Sequence, residues 1–251
     1  MSMSVSVSAS ASASATKSRS RSKSAVVVPD TIFHMRVRNP ALPGPNPFEW
    51  KMVRGFDLFV GRRVVVFGLP GAFTPTCTNS QCPEFDALYD KMREYGVDEV
   101  YCTSVNDAFV MRKWAESMRV TKVQMLPDGN GDFARGMGML VDKSNNGFGD
   151  RSWRYAMVVN NAVVEAMFEE EGKMDRHPGD MYAASTPANV LRYLSKRGAV
   201  SADDPAALFK PKPRATASAT KATPRPRTAS ASASASASAS ASASKRKTAA
   251  R

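Results

Sequence analysis

A cysteine that follows a threonine by three residues is the feature of this sequence with the clearest chemical potential. Cys77 and Thr74 lie at the end of a loop-like segment, residues 70–77, whose sequence is PGAFTPTC. The apolar run at 64–67 is typical of a buried strand, and the apolar spacing over residues 85–92 predicts an amphipathic helix. The sequence therefore places Cys77 in the first turn of a helix that follows a buried strand.

Placement in a first helical turn favours a reactive cysteine. The unpaired amide donors and the positive end of the helix dipole favour an anion there, and the thiolate is the nucleophilic form of cysteine. The hydroxyl of Thr74 can donate to the sulfur and accept from a protic substrate, while Pro70 and Pro75 stiffen the loop. The alternative is structural, with Cys77 a small buried residue and Thr74 a helix N-cap.

The elements that must position these residues alternate between strands and helices. Apolar and alternating runs predict strands at residues 34–38, 63–67, 99–105, 122–126, 154–160 and 163–169. Helical spacing predicts helices at residues 77–95, 108–118 and 186–196. Asn160 and Asn161 indicate a tight hairpin turn between the last two strands, and Thr186 with Pro187 indicates a helix start. This order predicts an α/β protein with a central mixed β-sheet flanked by helices.

Charge is unevenly distributed along the 251 residues. Of the 35 Lys and Arg residues, 14 lie in residues 1–29 and 210–251, and neither segment contains an acidic residue. Both segments are rich in Ser and Ala and cannot bury enough apolar surface to offset the entropy of the chain. We therefore predict a disordered segment at 1–29, one domain at 30–200 and a disordered basic tail at 201–251. No run of 18 apolar residues occurs, so no membrane span is predicted.

The composition of the two ends also bears on location and partners. Residues 1–29 are rich in Ser, Ala and basic residues and lack acids, which is typical of a transit peptide for a plastid or mitochondrion. If that segment is only disordered, a cytoplasmic location is the alternative. The basic run at 245–247 suits a nuclear signal or an electrostatic contact with nucleic acid, although such runs are usually just solvated.

Four separated motifs, in order, resemble those of one enzyme family. They are GLPGAFTPTC at 68–77, SVNDAFVM at 104–111, PDGNG at 127–131 and RSWRYAMV at 151–158. Together they resemble the peroxiredoxins, and in particular the type-II or peroxiredoxin 5 group. The resemblance extends from about residue 33 to residue 194, and it implies a thioredoxin-like fold and thiol peroxidase activity.

The resemblance implies a role for four residues. Cys77 would be the peroxidatic cysteine, whose thiolate attacks a peroxide oxygen and becomes a sulfenic acid. Thr74 and Arg154 would hold the peroxide and stabilise charge as the O–O bond breaks. Pro70 would keep water and other nucleophiles away from the sulfur. Arg151, three residues before Arg154, is expected to be a solvated loop charge.

The same resemblance implies the partners of the reaction. The substrates would be hydrogen peroxide and small hydroperoxides. The reductant would be either glutaredoxin with glutathione, or thioredoxin. The protein would be a homodimer or a monomer. No metal, haem, flavin or other cofactor is expected. Two alternatives remain open: a redox-sensing protein that passes oxidation to a partner, and an antioxidant held on nucleic acid by its basic tails.

Two further cysteines are candidates for resolving the sulfenic acid. Cys102 lies 25 residues after Cys77, which is similar to the spacing in plant-like type-II members. Cys82 lies five residues after Cys77, as in the bacterioferritin-comigratory branch, and departs from most type-II sequences. A third route needs neither residue, because glutathione can attack the sulfenic acid directly.

Helix geometry does not settle which cysteine resolves the sulfenic acid, but it restricts a direct link between Cys77 and Cys82. In an α-helix, residues five apart lie about 140° apart around the axis and about 8–9 Å from each other. That separation exceeds the roughly 7 Å limit for a disulfide, so the first turn would have to unwind. The alternative for Cys82 is that it is a packed core thiol without a role in the reaction. The corresponding alternative for Cys102 is that it is only a buried strand residue.

Overall fold

A five-stranded mixed β-sheet forms the centre of the protein in the computed structural model, which describes residues 25–197. The strands are β1 Ile32–Arg38, β2 Phe48–Arg54, β3 Arg63–Gly68, β4 Glu99–Ser104, β5 Gln124–Pro127, β6 Leu140–Asp142, β7 Asp150–Ser152, β8 Tyr155–Asn160 and β9 Val163–Glu169. The central sheet has the order β5-β4-β3-β8-β9, with β3, β4 and β5 parallel and β8 and β9 antiparallel to their neighbours. The predicted mixed sheet is confirmed.

Helices cover both faces of this sheet. The α-helices are α1 Gly55–Phe59, α2 Cys82–Ala87, α3 Tyr89–Glu94, α4 Ala108–Met118, α5 Asp132–Gly136 and α6 Pro187–Arg197. Successive residues of a strand point to opposite faces, and β3 is buried throughout its length. Val65 and Phe67 therefore pack against α2, α3, α4 and α6, while Val64 and Val66 pack against β1, α1 and α5.

The helix predicted at 77–95 is interrupted. A π-helix at Cys77–Gln81 precedes α2, and a break at Leu88 separates α2 from α3. Pro83 explains the change of geometry, because it has no amide proton and its ring clashes with the carbonyl group of residue 79 in a regular α-helix. The wider π turn relieves that conflict at the start of α2.

Two smaller hairpins were not predicted from the sequence. β1 pairs with β2, and β6 pairs with β7, each as an antiparallel two-stranded sheet. β2 lacks a buried face over most of its length, so the apolar alternation that reveals a half-buried strand is weak there. A tight hairpin turn between β8 and β9 is present as predicted, but it lies at Asn161 and Ala162, one residue later than the predicted Asn160 and Asn161, because Asn160 still pairs with Val163. Asn161 and Ala162 are both at positive φ, as such a turn requires.

The carboxyl ends of the three parallel strands meet at one edge of the sheet. The loops that follow them are tied together by Asn106, whose side-chain oxygen accepts hydrogen bonds from the Ala72 amide and the Ser104 hydroxyl, both at 2.9 Å. The amide of Asp128 donates to the Ser104 carbonyl group at 3.0 Å. These bonds give the loop at 70–77 a fixed position against its neighbours.

The ends of the chain lie outside the part that the structure describes. The predicted transit segment, apart from residues 25–29, and the predicted basic tail fall there. Within residues 25–197, no helix has the length and apolar character needed to cross a lipid bilayer.

We predict that Phe67→Ala strongly destabilises the protein. Phe67 is fully buried and stacks on Phe85 with ring centroids 4.1 Å apart. The substitution should lower the free energy of unfolding by about 3–5 kcal/mol, measured by urea denaturation followed by circular dichroism. Met52→Ala is the control, because 70% of Met52 is exposed, and its effect should lie within about 0.5 kcal/mol. A loss at Phe67 no larger than the control's would contradict this view of the core.

Candidate active site

Cys77 is buried near the start of the helix that follows β3. Residues 75 and 76 are already helical, and the π-helix begins at Cys77 itself. The Cys77 side chain has no exposed surface, although the residues around it in the loop are partly exposed. The structure therefore places the sulfur in the first helical turn, below the surface of the sheet edge where the parallel strands end.

Arg154 lies against the sulfur of Cys77. It directly precedes β8, is only 2% exposed, and its Nη1 donates to Cys77 Sγ at 3.4 Å. The same guanidinium donates to the side-chain oxygens of Gln81 and Asp180. Burial alone would lower the pKa of Arg154, but the charges of Cys77 and Asp180 outweigh it and raise the pKa above its ordinary value. A permanent cation thus faces the thiol.

Thr74 is close to Cys77 in the chain, but its hydroxyl donates elsewhere. The sequence predicted that the Thr74 hydroxyl donates to the Cys77 sulfur. In the structure, Thr74 Oγ1 instead donates to the carbonyl oxygen of Gly71 at 2.8 Å. This bond uses the hydroxyl proton and leaves the oxygen lone pairs as acceptors. The Thr74 carbonyl group also accepts the amide of Thr78 at 3.0 Å, which starts the helix.

Pro70 and Phe73 complete the loop around the sulfur. Pro70 is buried two residues after the end of β3, where its fixed φ limits the path of the chain. Phe73 is 57% exposed and adopts a φ of 63°, in the left-handed region that bulky residues rarely occupy. The loop is therefore held in a specific conformation by its surroundings rather than by the local preferences of its residues.

Three site residues were not identified from the sequence. Gln81 and Asp180 accept from Arg154, and Tyr182 lies with its ring 5.7 Å from the Arg154 guanidinium carbon. The Tyr182 hydroxyl donates to Glu84 at 2.7 Å, which joins the loop before α6 to α2. Gln81 lies one helical turn after Cys77, and this spacing in the sequence could have indicated that the two side chains share a helix face. Asp180 lies 26 residues after Arg154, and no local pattern points to it.

A buried carboxylate anchors the loop that carries Asp180. Glu170 is 2% exposed and accepts from the amides of residues 183–185 at 2.8–3.1 Å and from the Ser185 hydroxyl at 2.7 Å. Burial alone would raise the pKa of Glu170, but these hydrogen bonds outweigh it and lower the pKa below its ordinary value. The ionised carboxylate therefore holds both ends of the loop that positions Asp180 and Tyr182.

Arg151 is not the solvated loop charge that the sequence suggested. Its guanidinium is partly buried and donates to the carbonyl oxygens of Val105 at 3.0 Å and Phe148 at 3.1 Å. Burial lowers the pKa of Arg151 below its ordinary value. An alanine methyl group built at Gly71 would lie 3.5 Å from this guanidinium, so Arg151 borders the Cys77 loop.

The other two cysteines lie in the same apolar core as Cys77. Cys82 and Cys102 are free thiols without exposed surface, and all three cysteines belong to one buried cluster. Burial, together with a hydrogen bond and charge interaction with Cys82, raises the pKa of the Cys102 thiol well above its ordinary value. The α-helical separation expected between Cys77 and Cys82 is wrong, because the Cys82 amide donates to the Cys77 carbonyl group across a π turn.

Comparison with known proteins identifies the family. The redoxin family model matches residues 54–184. The peroxiredoxin y4vD of Sinorhizobium fredii is 54% identical over 66% of this chain and 89% of its own length. The peroxiredoxin sll1621 of Synechocystis is 46% identical over 72% of this chain and 96% of its own length. The chain belongs to the peroxiredoxin family.

Solved structures agree with this assignment. The 1-Cys peroxiredoxin of Plasmodium falciparum superposes with a TM-score of 0.64 at 33% identity, covering 68% of this chain and 98% of that one. Peroxiredoxin 5 from Alvinella pompejana superposes with a TM-score of 0.55 at 29% identity, covering 69% and 98%. The thioredoxin-like fold and the type-II, peroxiredoxin 5 group predicted from the sequence motifs are confirmed. So is the function at the level of a thiol peroxidase with an antioxidant role.

We predict that Glu170→Gln destabilises the protein at neutral pH but not in acid. Losing charge-assisted hydrogen bonds to a buried carboxylate should cost about 1.5–3 kcal/mol at pH 7. Because folding lowers the Glu170 pKa, the stability it provides is complete above the ordinary glutamate range and is lost as pH falls through the lowered value. Urea titrations of both proteins between pH 7 and pH 3 test this.

The two stability curves should therefore converge towards low pH. Glu169→Gln is the control for the loss of a charge, since this neighbouring carboxylate is part-exposed and pairs with Lys173 at 3.0 Å. A Glu170→Gln deficit that is the same at every pH would contradict the assigned role of the ionised carboxylate.

Proposed function

We propose that Cys77 is the peroxidatic cysteine and that Arg154 binds the peroxide and stabilises the reacting charge. The observation that carries this assignment is the 3.4 Å contact between Arg154 Nη1 and Cys77 Sγ in a buried site. A guanidinium stabilises a thiolate through charge and directs several N–H groups towards acceptors that approach the sulfur. Its raised pKa keeps this cation charged at every physiological pH.

The reaction is a displacement at oxygen. The Cys77 thiolate attacks one oxygen of the peroxide, an S–O bond forms, and the O–O bond breaks. The cysteine becomes a sulfenic acid. The second oxygen is the leaving group and departs as water or an alcohol after it takes up a proton. Arg154 stabilises the negative charge that develops on the departing oxygen, in the manner of an oxyanion-hole donor.

Thr74 orients the substrate in this proposal. Because its own proton is donated to Gly71, the Thr74 oxygen is directed as an acceptor, and a peroxide O–H is the donor that it would take. Pro70, which is buried and has no backbone N–H, shields the sulfur in this proposal. Since Cys77 has no exposed surface, hydrogen peroxide and small alkyl hydroperoxides fit the site better than bulky ones.

The reductant is a thiol in this proposal, either glutathione with glutaredoxin or thioredoxin. The sulfenic acid is electrophilic, and attack by a thiol releases water and forms a disulfide that a second thiol reduces. We place the peroxidase domain at residues 30–200, in a homodimer or a monomer. We also propose an organellar location. It is supported by the transit-like composition of residues 1–29 and by chloroplastic relatives such as peroxiredoxin-2E of Arabidopsis thaliana.

We predict that Cys77→Ser abolishes peroxide reduction. Stopped-flow mixing of the reduced protein with hydrogen peroxide should show rapid consumption by the wild type and none by the variant, because the serine hydroxyl is not ionised. Dimedone should label Cys77 of the wild type when peroxide is supplied in excess. Steady-state turnover with glutathione and glutaredoxin, compared with thioredoxin and its reductase, identifies the reductant. Wild-type consumption rates in Cys77→Ser would remove Cys77 from the peroxidatic role.

We predict that Arg154→Met lowers the rate of Cys77 oxidation by about 10²–10³-fold, because one preorganised donor to the reacting oxygens is lost. Arg154→Lys should recover part of the rate, since it keeps the charge but loses the forked donors. Arg192→Lys, on the exposed side of α6, is the control and should react at the wild-type rate. Equal rates in all three variants would show that Arg154 is only structural.

A further inference from the structure

The π turn brings two of the three thiols onto neighbouring turns of one helix. In a π-helix the amide of residue i+5 donates to the carbonyl group of residue i, so residue i+5 follows residue i by about one turn. Cys77 and Cys82 are such a pair. The obstacle that α-helical geometry would impose, a wide angle between the two side chains, is therefore absent from this helix.

Cys82 is also adjacent to the third thiol, across the interface between α2 and the sheet. Phe85, one turn after Cys82, stacks on Phe67 of β3, and Phe67 is the register partner of Cys102 on β4. The face of α2 that carries Cys82 thus lies over the strand position of Cys102. Cys82 and Cys102 are both fully buried members of one apolar cluster that also contains Phe67 and Phe85, which agrees with this packing.

We propose that Cys82 resolves the sulfenic acid of Cys77 and then passes the oxidation to Cys102, so that oxidation without a reductant produces a buried Cys82–Cys102 disulfide. This inference rests on the proposed peroxidatic role of Cys77. It assigns the two remaining cysteines successive roles in one relay instead of treating them as competing candidates.

Each step of the relay balances. The Cys82 sulfur attacks the sulfenic sulfur of Cys77, the S–O bond breaks, and the hydroxyl group leaves with the Cys82 proton as water. The Cys102 sulfur then attacks Cys82, the Cys77–Cys82 bond breaks, and Cys77 leaves as a thiolate while the Cys102 proton passes to solvent. The two electrons taken by the peroxide have then come from Cys82 and Cys102.

The charges around the thiols set the direction of the second step. A disulfide exchange favours release of the thiol whose thiolate is better stabilised. Arg154 lies 3.4 Å from Cys77 and stabilises its thiolate, whereas Cys102 is fully buried in apolar surroundings with no cation among its partners. The oxidation should therefore collect at Cys82 and Cys102, and Cys77 should return to its reactive form.

The test is a disulfide map after one equivalent of hydrogen peroxide, with free thiols blocked by iodoacetamide. Cys77 and Cys82 share one tryptic peptide, residues 64–91, because no Lys or Arg lies between those ends. Fragment ions from cleavage between residues 77 and 82 therefore locate the link to the Cys102 peptide. We expect a Cys82–Cys102 link, alkylated Cys77, and consumption of about two equivalents of peroxide when excess is supplied.

Two variants should each stop the relay at a defined stage. In Cys82→Ala, Cys77 should remain a dimedone-reactive sulfenic acid without a disulfide to Cys102. In Cys102→Ala, oxidation should end in a Cys77–Cys82 disulfide. Each variant should consume about one equivalent of peroxide, half the wild-type amount. Circular dichroism spectra of both variants should match the wild-type spectrum, which checks that they fold.

Other results overturn the relay. A Cys77–Cys102 link formed by Cys82→Ala at the wild-type rate would show direct resolution by Cys102. A wild-type product that ends as a Cys77–Cys82 disulfide, or as a lasting sulfenic acid, would remove Cys102 from the chemistry. Unconsumed peroxide with Cys77 still a thiol is a different failure, because it refutes the peroxidatic role of Cys77 itself.

Discussion

The site depends on a guanidinium that is buried at the start of a β-strand. A charge removed from water costs several kcal/mol unless anionic or polar partners surround it. Arg154 obtains those partners from two separate places, the π-helix that contains Cys77 and Gln81, and the loop before α6 that contains Asp180. The requirement to satisfy one cation therefore fixes how these segments meet, and the cation in turn favours the thiolate.

The remaining polar contacts near the site keep those segments in register. Asn106 joins the loops after β3 and β4, and Glu170 collects the amides of the chain that leads to Asp180. Glu170 is buried and Asn106 is part-buried, and acceptors shielded from water are costly if left unpaired, so each specifies one conformation of the loop that it binds. The parallel strands supply a rigid edge, and these side chains align the loops on it.

Helix geometry connects this site to the other two thiols. Pro83 prevents a regular α-helix after Cys77. The π turn that results places Cys82 about one turn after Cys77, on the helix face that packs over Cys102. A single residue without an amide proton thus changes the relative positions of Cys77 and Cys82 in the helix. The same apolar packing that buries Cys102 makes its thiolate unfavourable, which separates its chemistry from that of Cys77.

The sequence by itself determined the central strands, the hairpin at Asn161 and the position of Cys77 in a first helical turn. These features arise from local apolar periodicity and turn chemistry, which are visible in neighbouring residues. Only the tertiary structure decided the partners of Arg154, the partly buried position of Arg151 and the anchoring role of Glu170. Those contacts join residues far apart in the chain, and their energy comes from shared burial that leaves no periodic signal.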